Sequence, residues 1–182
     1  MNIFADLDQG EFDRELEESR LPELPHEHRD FRGRFTDALS ARQYLRAGKA
    51  TVTLVSKKTG NRFTYRVNVP TDRETGERAT DGTLMVSVLT GPDNNSSYTW
   101  LGRVARDVFW VGRKNPRPGE FSKDAPSAKA FQFAWQALLR GEIPEQLEIW
   151  HEGRCGRCGL KLTVPESVAR GFGPDCAAKL GF

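Results

Sequence analysis

The chemistry-bearing residues of this 182-residue chain collect near its C-terminus, where all three cysteines fall. Cys155 and Cys158 form a C-x-x-C pair, Cys176 follows after seventeen residues, and His151 stands four residues before the pair. A structural zinc ion takes four Cys or His ligands in a tetrahedron, and a C-x-x-C turn lets two thiolates converge on one ion. Gly153, Gly156 and Gly159 relieve the backbone where such a knuckle must turn with positive φ. Gly173-Pro174-Asp175-Cys176 opens a short helix, with Pro174 at its first position and Gly181 past its end. Cys176 then lies in the first turn, where the helix dipole favours the metal-binding thiolate. The fourth ligand is read as His151, giving His-x3-Cys-x2-Cys-x17-Cys, with Asp175 as the alternative. The expected cofactor is a structural Zn2+.

Other readings of the cysteines fit less well. Three free thiols in a reducing cytosol would not explain their clustering with glycines. A thioredoxin-type redox pair would follow a strand in a βαβ pattern, which is missing here. A catalytic zinc with three protein ligands, an open position and Glu152 as base lacks accompanying pocket residues. The protein is therefore read as a non-enzyme.

The run CGRCGLKLTVPESVARGFGPDC resembles a small zinc-knuckle family of unknown function found in phage and bacterial proteins, with the pattern C-x-x-C-G-[RK]-x-L-T-x-P-x-S, then G-x-G-P-x-C. Cys155, Cys158, Gly159, Leu162, Thr163, Pro165, Ser167, Gly171, Gly173, Pro174 and Cys176 match it. Leu160 stands where that family usually has a basic residue. The stretches AGKATVTLVSKKTGNRFTYRV and VSVLTGPDNNSSYTWLG resemble uncharacterised phage proteins that end in this knuckle, so the resemblance runs from about Ala38 to the end. It implies zinc binding and a phage or prophage origin, hence the host cytoplasm, and implies no activity.

Motifs for other chemistries are missing. There is no Gly-x4-Gly-Lys-[Ser/Thr] loop, no Gly-x-Gly-x-x-Gly after a strand, no Gly-x-Ser-x-Gly elbow and no zinc-deaminase signature. His26-x-His28 has no third ligand nearby and reads as two solvated side chains. Asp93-Asn94-Asn95 reads as a turn rather than an acidic metal site, since turns favour these residues for backbone reasons.

Around the cysteines the charge is unevenly spread. The chain holds 27 Lys/Arg and 25 Asp/Glu. Residues 1–30 contain ten Asp/Glu and three Arg, a balance of −7, which leaves 24 Lys/Arg against 15 Asp/Glu, +9, for the rest. The acidic start does not resemble a signal peptide, and no run of about 18 apolar residues suggests a membrane span. A cytoplasmic address and no membrane contact are expected, in keeping with the reduced cysteines.

The elements that must position the cysteines follow from periodicity. Residues 1–33 read as a largely disordered acidic segment, 34–147 as an α+β domain and 148–182 as the zinc knuckle. A short helix carries Phe35, Ala38, Leu39 and Leu45 and stops at Gly48. Residues 50–56 and 62–69 alternate as a hairpin about a turn at 57–61. Residues 84–89, 98–104 and 108–111 are further strands, giving a curled antiparallel sheet of about five. A helix from Pro126 to Arg140, capped by Asp124, lays Phe131, Trp135, Leu138 and Leu139 over it. Leu160–Thr163 is strand-like, and Leu147, Ile149 and Trp150 lead into the knuckle.

Two functions suit this organisation. The first is a nucleic-acid-binding module for single strands or duplex, with Lys57, Lys58, Arg62, Arg66, Arg103, Arg113, Lys114, Arg154 and Arg157 meeting phosphates and Tyr98, Trp100 or Trp110 stacking on bases. The second is a protein-interaction factor that modulates a host or phage complex through the acidic N-terminus.

Overall fold

The structure, a computed structural model, describes residues 33–112 and 122–181. They belong to one compact unit, Arg32–Phe182. The acidic segment, with its expected disorder and His26 and His28, and the basic residues Arg113 and Lys114 lie outside the described residues.

The fold is α+β. Six strands form one antiparallel, curled sheet: β1 (Lys49–Ser56), β2 (Arg62–Asn68), β3 (Leu84–Leu89), β4 (Tyr98–Ala105), β5 (Val108–Val111) and β6 (Leu147–His151), in the order β5-β4-β3-β2-β1-β6. The hairpin β1–β2 holds its register through Thr53 opposite Thr64, whose hydroxyls bond at 2.8 Å. One strand more is present than the periodicity predicts. The short β6 pairs with β1, with Ile149 opposite Leu54 and His151 opposite Val52. Its five residues run straight into the cysteine motif, which hid its own alternation of buried Leu147, Ile149 and His151 with Glu148 and Trp150.

Helix α1 (Ala38–Arg46) starts at Asp37, whose carboxylate accepts the Ser40 N–H at 2.7 Å. It buries Ala38, Ala41, Tyr44 and Leu45 and exposes Leu39. Helix α2 (Pro126–Leu139) covers the same sheet face with Phe131, Trp135 and Leu138, and Phe131 packs on Tyr65 and Phe109. Asp124 does not cap it. Ala125 is the N-cap, and Asp124 pairs with Lys129 at 3.3 Å instead. Tyr65 ends in the core by donating its hydroxyl to the Ser127 carbonyl at 2.7 Å.

The C-terminal part adds α3 (Pro165–Arg170) and α4 (Pro174–Leu180). The expected strand at Leu160–Thr163 is reduced to a single bridge between Lys161 and Arg154. Leu162 turns inward, and its N–H bonds the Gly153 carbonyl at 2.7 Å. No helix among the described residues is long and apolar enough to cross a membrane.

Candidate metal centre and nucleic-acid interface

The turn after β6 brings Cys155 and Cys158 together, and the first turn of α4 brings Cys176 to them. The three Sγ atoms lie within 4.8 Å of one another. Gly153 and Gly159 take the positive φ (65° and 82°) that the knuckle requires. Gly156 answers a different need, since its φ is ordinary and a Cβ there would stand 2.7 Å from the Tyr44 ring. Burial alone would raise the Cys155 thiol. Donation from the backbone N–H groups of Cys158, Gly173 and Arg157 outweighs it and brings the pKa down to about 7. Cys176 is raised by burial and by its neighbouring thiols, while the Arg157 side chain bonds it and acts the other way. Three cysteine sulfurs this close together can hold a soft divalent ion.

His151 does not join the cysteines, contrary to the spacing argument. Its ring is buried among Phe35 and Tyr44, with centroids 5.0 and 5.2 Å away. Nε2 donates to the Val168 carbonyl at 2.8 Å, and Nδ1 accepts the Gly153 N–H at 3.1 Å. The ring's one lone pair is thus taken by a backbone donor, which leaves none for a metal. Spacing placed His151 within reach along the chain. Its position on β6, opposite Val52, turns it into the core. Asp175 is exposed and lines the same groove of about 240 Å3 as the cysteines, together with Lys161, Thr163 and Ser167. Glu152 is exposed and is not among that groove's lining residues.

The knuckle is seated on the domain by Tyr44, which the sequence did not single out. Its hydroxyl donates to the Arg154 carbonyl at 2.9 Å. The Lys49 N–H bonds the Gly156 carbonyl at 2.7 Å, so β1 also holds the cysteine turn. Arg78 reaches across from the loop after β2 to the carbonyls of Ala47 and Arg157.

The basic residues divide into three places. On the sheet face opposite α2, Arg66 and Arg103 lie among Tyr98, Trp100 and Trp110. Arg66 stacks 4.0 Å over the Tyr98 ring and bonds the carbonyls of Asn94 and Asn95. Arg103 is exposed and stands directly between Met85 and Trp110 in the cross-strand register, with Trp110 57% exposed. Thr83, Met85, Trp100, Arg103 and Trp110 line a hollow of about 850 Å3. A β-bulge between β3 and β4 explains why Trp100 lies here. The register shifts at Val86/Ser87, so that Leu101 and Gly102 are both buried and Trp100 falls opposite Ser87. No Asp or Glu occurs in β1–β5.

Lys57 and Lys58 lie at the β1–β2 turn, where Lys57 pairs with Glu148 at 3.8 Å, and Arg62 opens β2, exposed and on the same face of the strand as Arg66. Arg154 and Arg157 belong to the knuckle, where Arg154 bonds the Gly159 carbonyl at 3.2 Å and Arg157 faces Cys176.

Residues 149–181 match a family of unknown function (DUF6011). That match begins inside β6 and ends with α4. No curated protein and no solved structure matches the chain.

Proposed function

We propose that this protein is a zinc-binding accessory protein that binds single-stranded nucleic acid on the open face of its sheet, with the metal holding the C-terminal knuckle in shape. One observation carries the reading. Arg103 and Trp110 are cross-strand neighbours, both exposed, in five strands that contain no acidic residue. A guanidinium beside an exposed indole offers a phosphate contact and a stacking plane within one base step. Arg66 over Tyr98 repeats the combination two strands away. Aromatic rings on strands are most often core, but here the core aromatics Tyr65, Phe109, Phe131 and Trp135 occupy the other face. Zinc is the metal that best suits a close cluster of thiolates. Its part in this reading is architectural, and the protein is not an enzyme.

The test is fluorescence anisotropy of the zinc-loaded full chain with a labelled single strand and a labelled duplex across a salt series. Tight binding that prefers the single strand and weakens steeply with salt is the expected result. No binding at low salt would overturn the reading and favour a protein partner.

A further inference from the structure

The cysteine cluster has an inner and an outer part. Cys155 is 1% exposed, and its sulfur accepts the backbone N–H groups of Cys158, Gly173 and Arg157. Cys158 and Cys176 are half-buried and border the groove of about 240 Å3 that the exposed Leu160 and Val164 also line. They come from different elements, Cys158 from the turn after β6 and Cys176 from α4, with seventeen residues between them. Their Sγ atoms are no more than 4.8 Å apart. A disulfide bond of about 2 Å therefore needs an approach of less than about 3 Å. Helix α4 can supply that movement, because Ala177 is the one buried residue among its seven.

We propose that Cys158 and Cys176 form a redox-modification site, at which hydrogen peroxide converts them to a disulfide that ties the turn to α4 in place of a metal ion. One thiolate attacks the peroxide, so that an S–O bond forms, the O–O bond breaks and hydroxide leaves. The other thiolate attacks that sulfur, the S–S bond forms, and the S–O bond breaks with loss of a second hydroxide. Two electrons pass from the two sulfurs to the peroxide. Cys155 stays reduced, since a disulfide sulfur is a poor acceptor and a link through Cys155 would strand its three N–H donors inside the protein. Disulfide sulfurs are no longer thiolate ligands, so the link and the ion exclude each other. Each spans the same two elements, and the knuckle keeps its shape in the oxidised state. The proposal rests on the sulfur geometry and does not require a bound metal.

The experiment treats the full chain, zinc-loaded and metal-free, with a small excess of hydrogen peroxide, counts thiols by alkylation and maps the link by peptide mass spectrometry. In both samples two of the three thiols should disappear, with Cys158 joined to Cys176 in the same chain, and dithiothreitol should restore them. Bound zinc should leave in step with the link, and the oxidised protein should melt above the reduced, metal-free protein. Cys155→Ala should form the same link. Three surviving thiols, a link through Cys155 or to a second chain, an irreversible sulfinate, zinc retained beside the link, or a linked protein no more stable than the reduced metal-free one would each overturn the proposal. Failure of the chain to take up zinc would sink the metal reading alone, because the metal-free sample still decides whether the link forms.

Discussion

The Tyr44 ring lies so close to the backbone of Gly156 that a Cβ there would come within 2.7 Å of it, and one at Gly171 within 2.6 Å. One aromatic side chain of α1 is therefore clasped between the two glycine-bearing turns of the knuckle. Phe35 and Phe172 complete the contact, with ring centroids 5.2 and 5.9 Å from Tyr44. The domain and the cysteine turn share this packing, so disturbing it should be felt in both.

Gly156→Ala and Gly171→Ala should each destabilise the protein. Overpacking a tight core costs about 1–3 kcal/mol, and Gly171 adds the strain of a side chain at φ 80°. In a domain of this size each kcal/mol lowers the melting temperature by roughly 2–4 °C. Gly60→Ala serves as the comparison, because its φ of 71° carries strain but a Cβ there meets nothing within 4 Å. Thermal melts showing Gly156→Ala no worse than wild type would mean that Tyr44 is not held as described.

Removing the metal should loosen the C-terminal part first. Cys155→Ser and Cys176→Ser should fail to hold zinc in elemental analysis and melt earlier, and a chelator should do the same to the wild type. The size follows from mass action: saturation at about a thousand times the dissociation constant stabilises by about 4 kcal/mol, and that is lost with the ion. His151→Gln should keep one zinc per chain despite lowered stability, since the ring is a core group rather than a ligand. One zinc lost with His151→Gln would restore the histidine to the site.

His151 also predicts a pH dependence. Burial lowers its pKa below the ordinary value, with the bond to the Val168 carbonyl acting in the opposite sense. The unfolded chain therefore binds a proton more readily than the folded one. Stability should be full above the unfolded value of about 6.5 and fall as the pH drops from there through the lowered folded value. Protonation would also set a ring N–H against the Gly153 N–H that Nδ1 now accepts. Denaturant midpoints below pH 6.5 should decline more steeply in wild type than in His151→Gln. Equal slopes would assign the acid sensitivity to groups other than His151, the hydrogen-bonded carboxylates of Asp37 and Asp93 among them.

The cysteine cluster was legible because spacing in the sequence survives as proximity when a tight turn and a helix start are both marked by Gly and Pro. The hairpin was legible because Thr-rich alternation fixes which face is buried. Two things were not. His151 shares its sequence neighbourhood with the cysteines, yet strand pairing with β1 decides which way it points, and pairing is a long-range property. Trp100 would share the face of Gly102 and Val104 under strict alternation. The bulge that moves it to the open face is a matter of register with β3, which no local pattern announces. The turn joining β4 to β5 was legible as the gap between two strands, but its backbone conformation was not. Arg106 and Asp107 both take positive φ (49° and 63°) without a glycine to signal it, and Asp107 is held there by bonds to Arg46 and Trp135.

The nucleic-acid reading divides the basic residues into those that should matter and those that should not. Arg103→Ala should weaken single-strand binding about equally across sequences and reduce the salt slope by about one phosphate contact. Trp110→Ala should cost about 1–3 kcal/mol, the usual value of one stacked base, while leaving the salt slope nearly unchanged, because an indole releases no counterions. Arg66→Ala should combine a loss of charge with a loss of order, since its guanidinium also ties the β3–β4 turn through the Asn94 and Asn95 carbonyls. Lys57→Ala should do little, because Lys57 is paired with Glu148 and stands at the far turn. Anisotropy titrations at several salt concentrations separate these cases. If Lys57→Ala and Arg103→Ala lowered the affinity alike and Trp110→Ala did nothing, the interaction would be a diffuse attraction between charges, and the open face of the sheet would lose its claim as the binding surface.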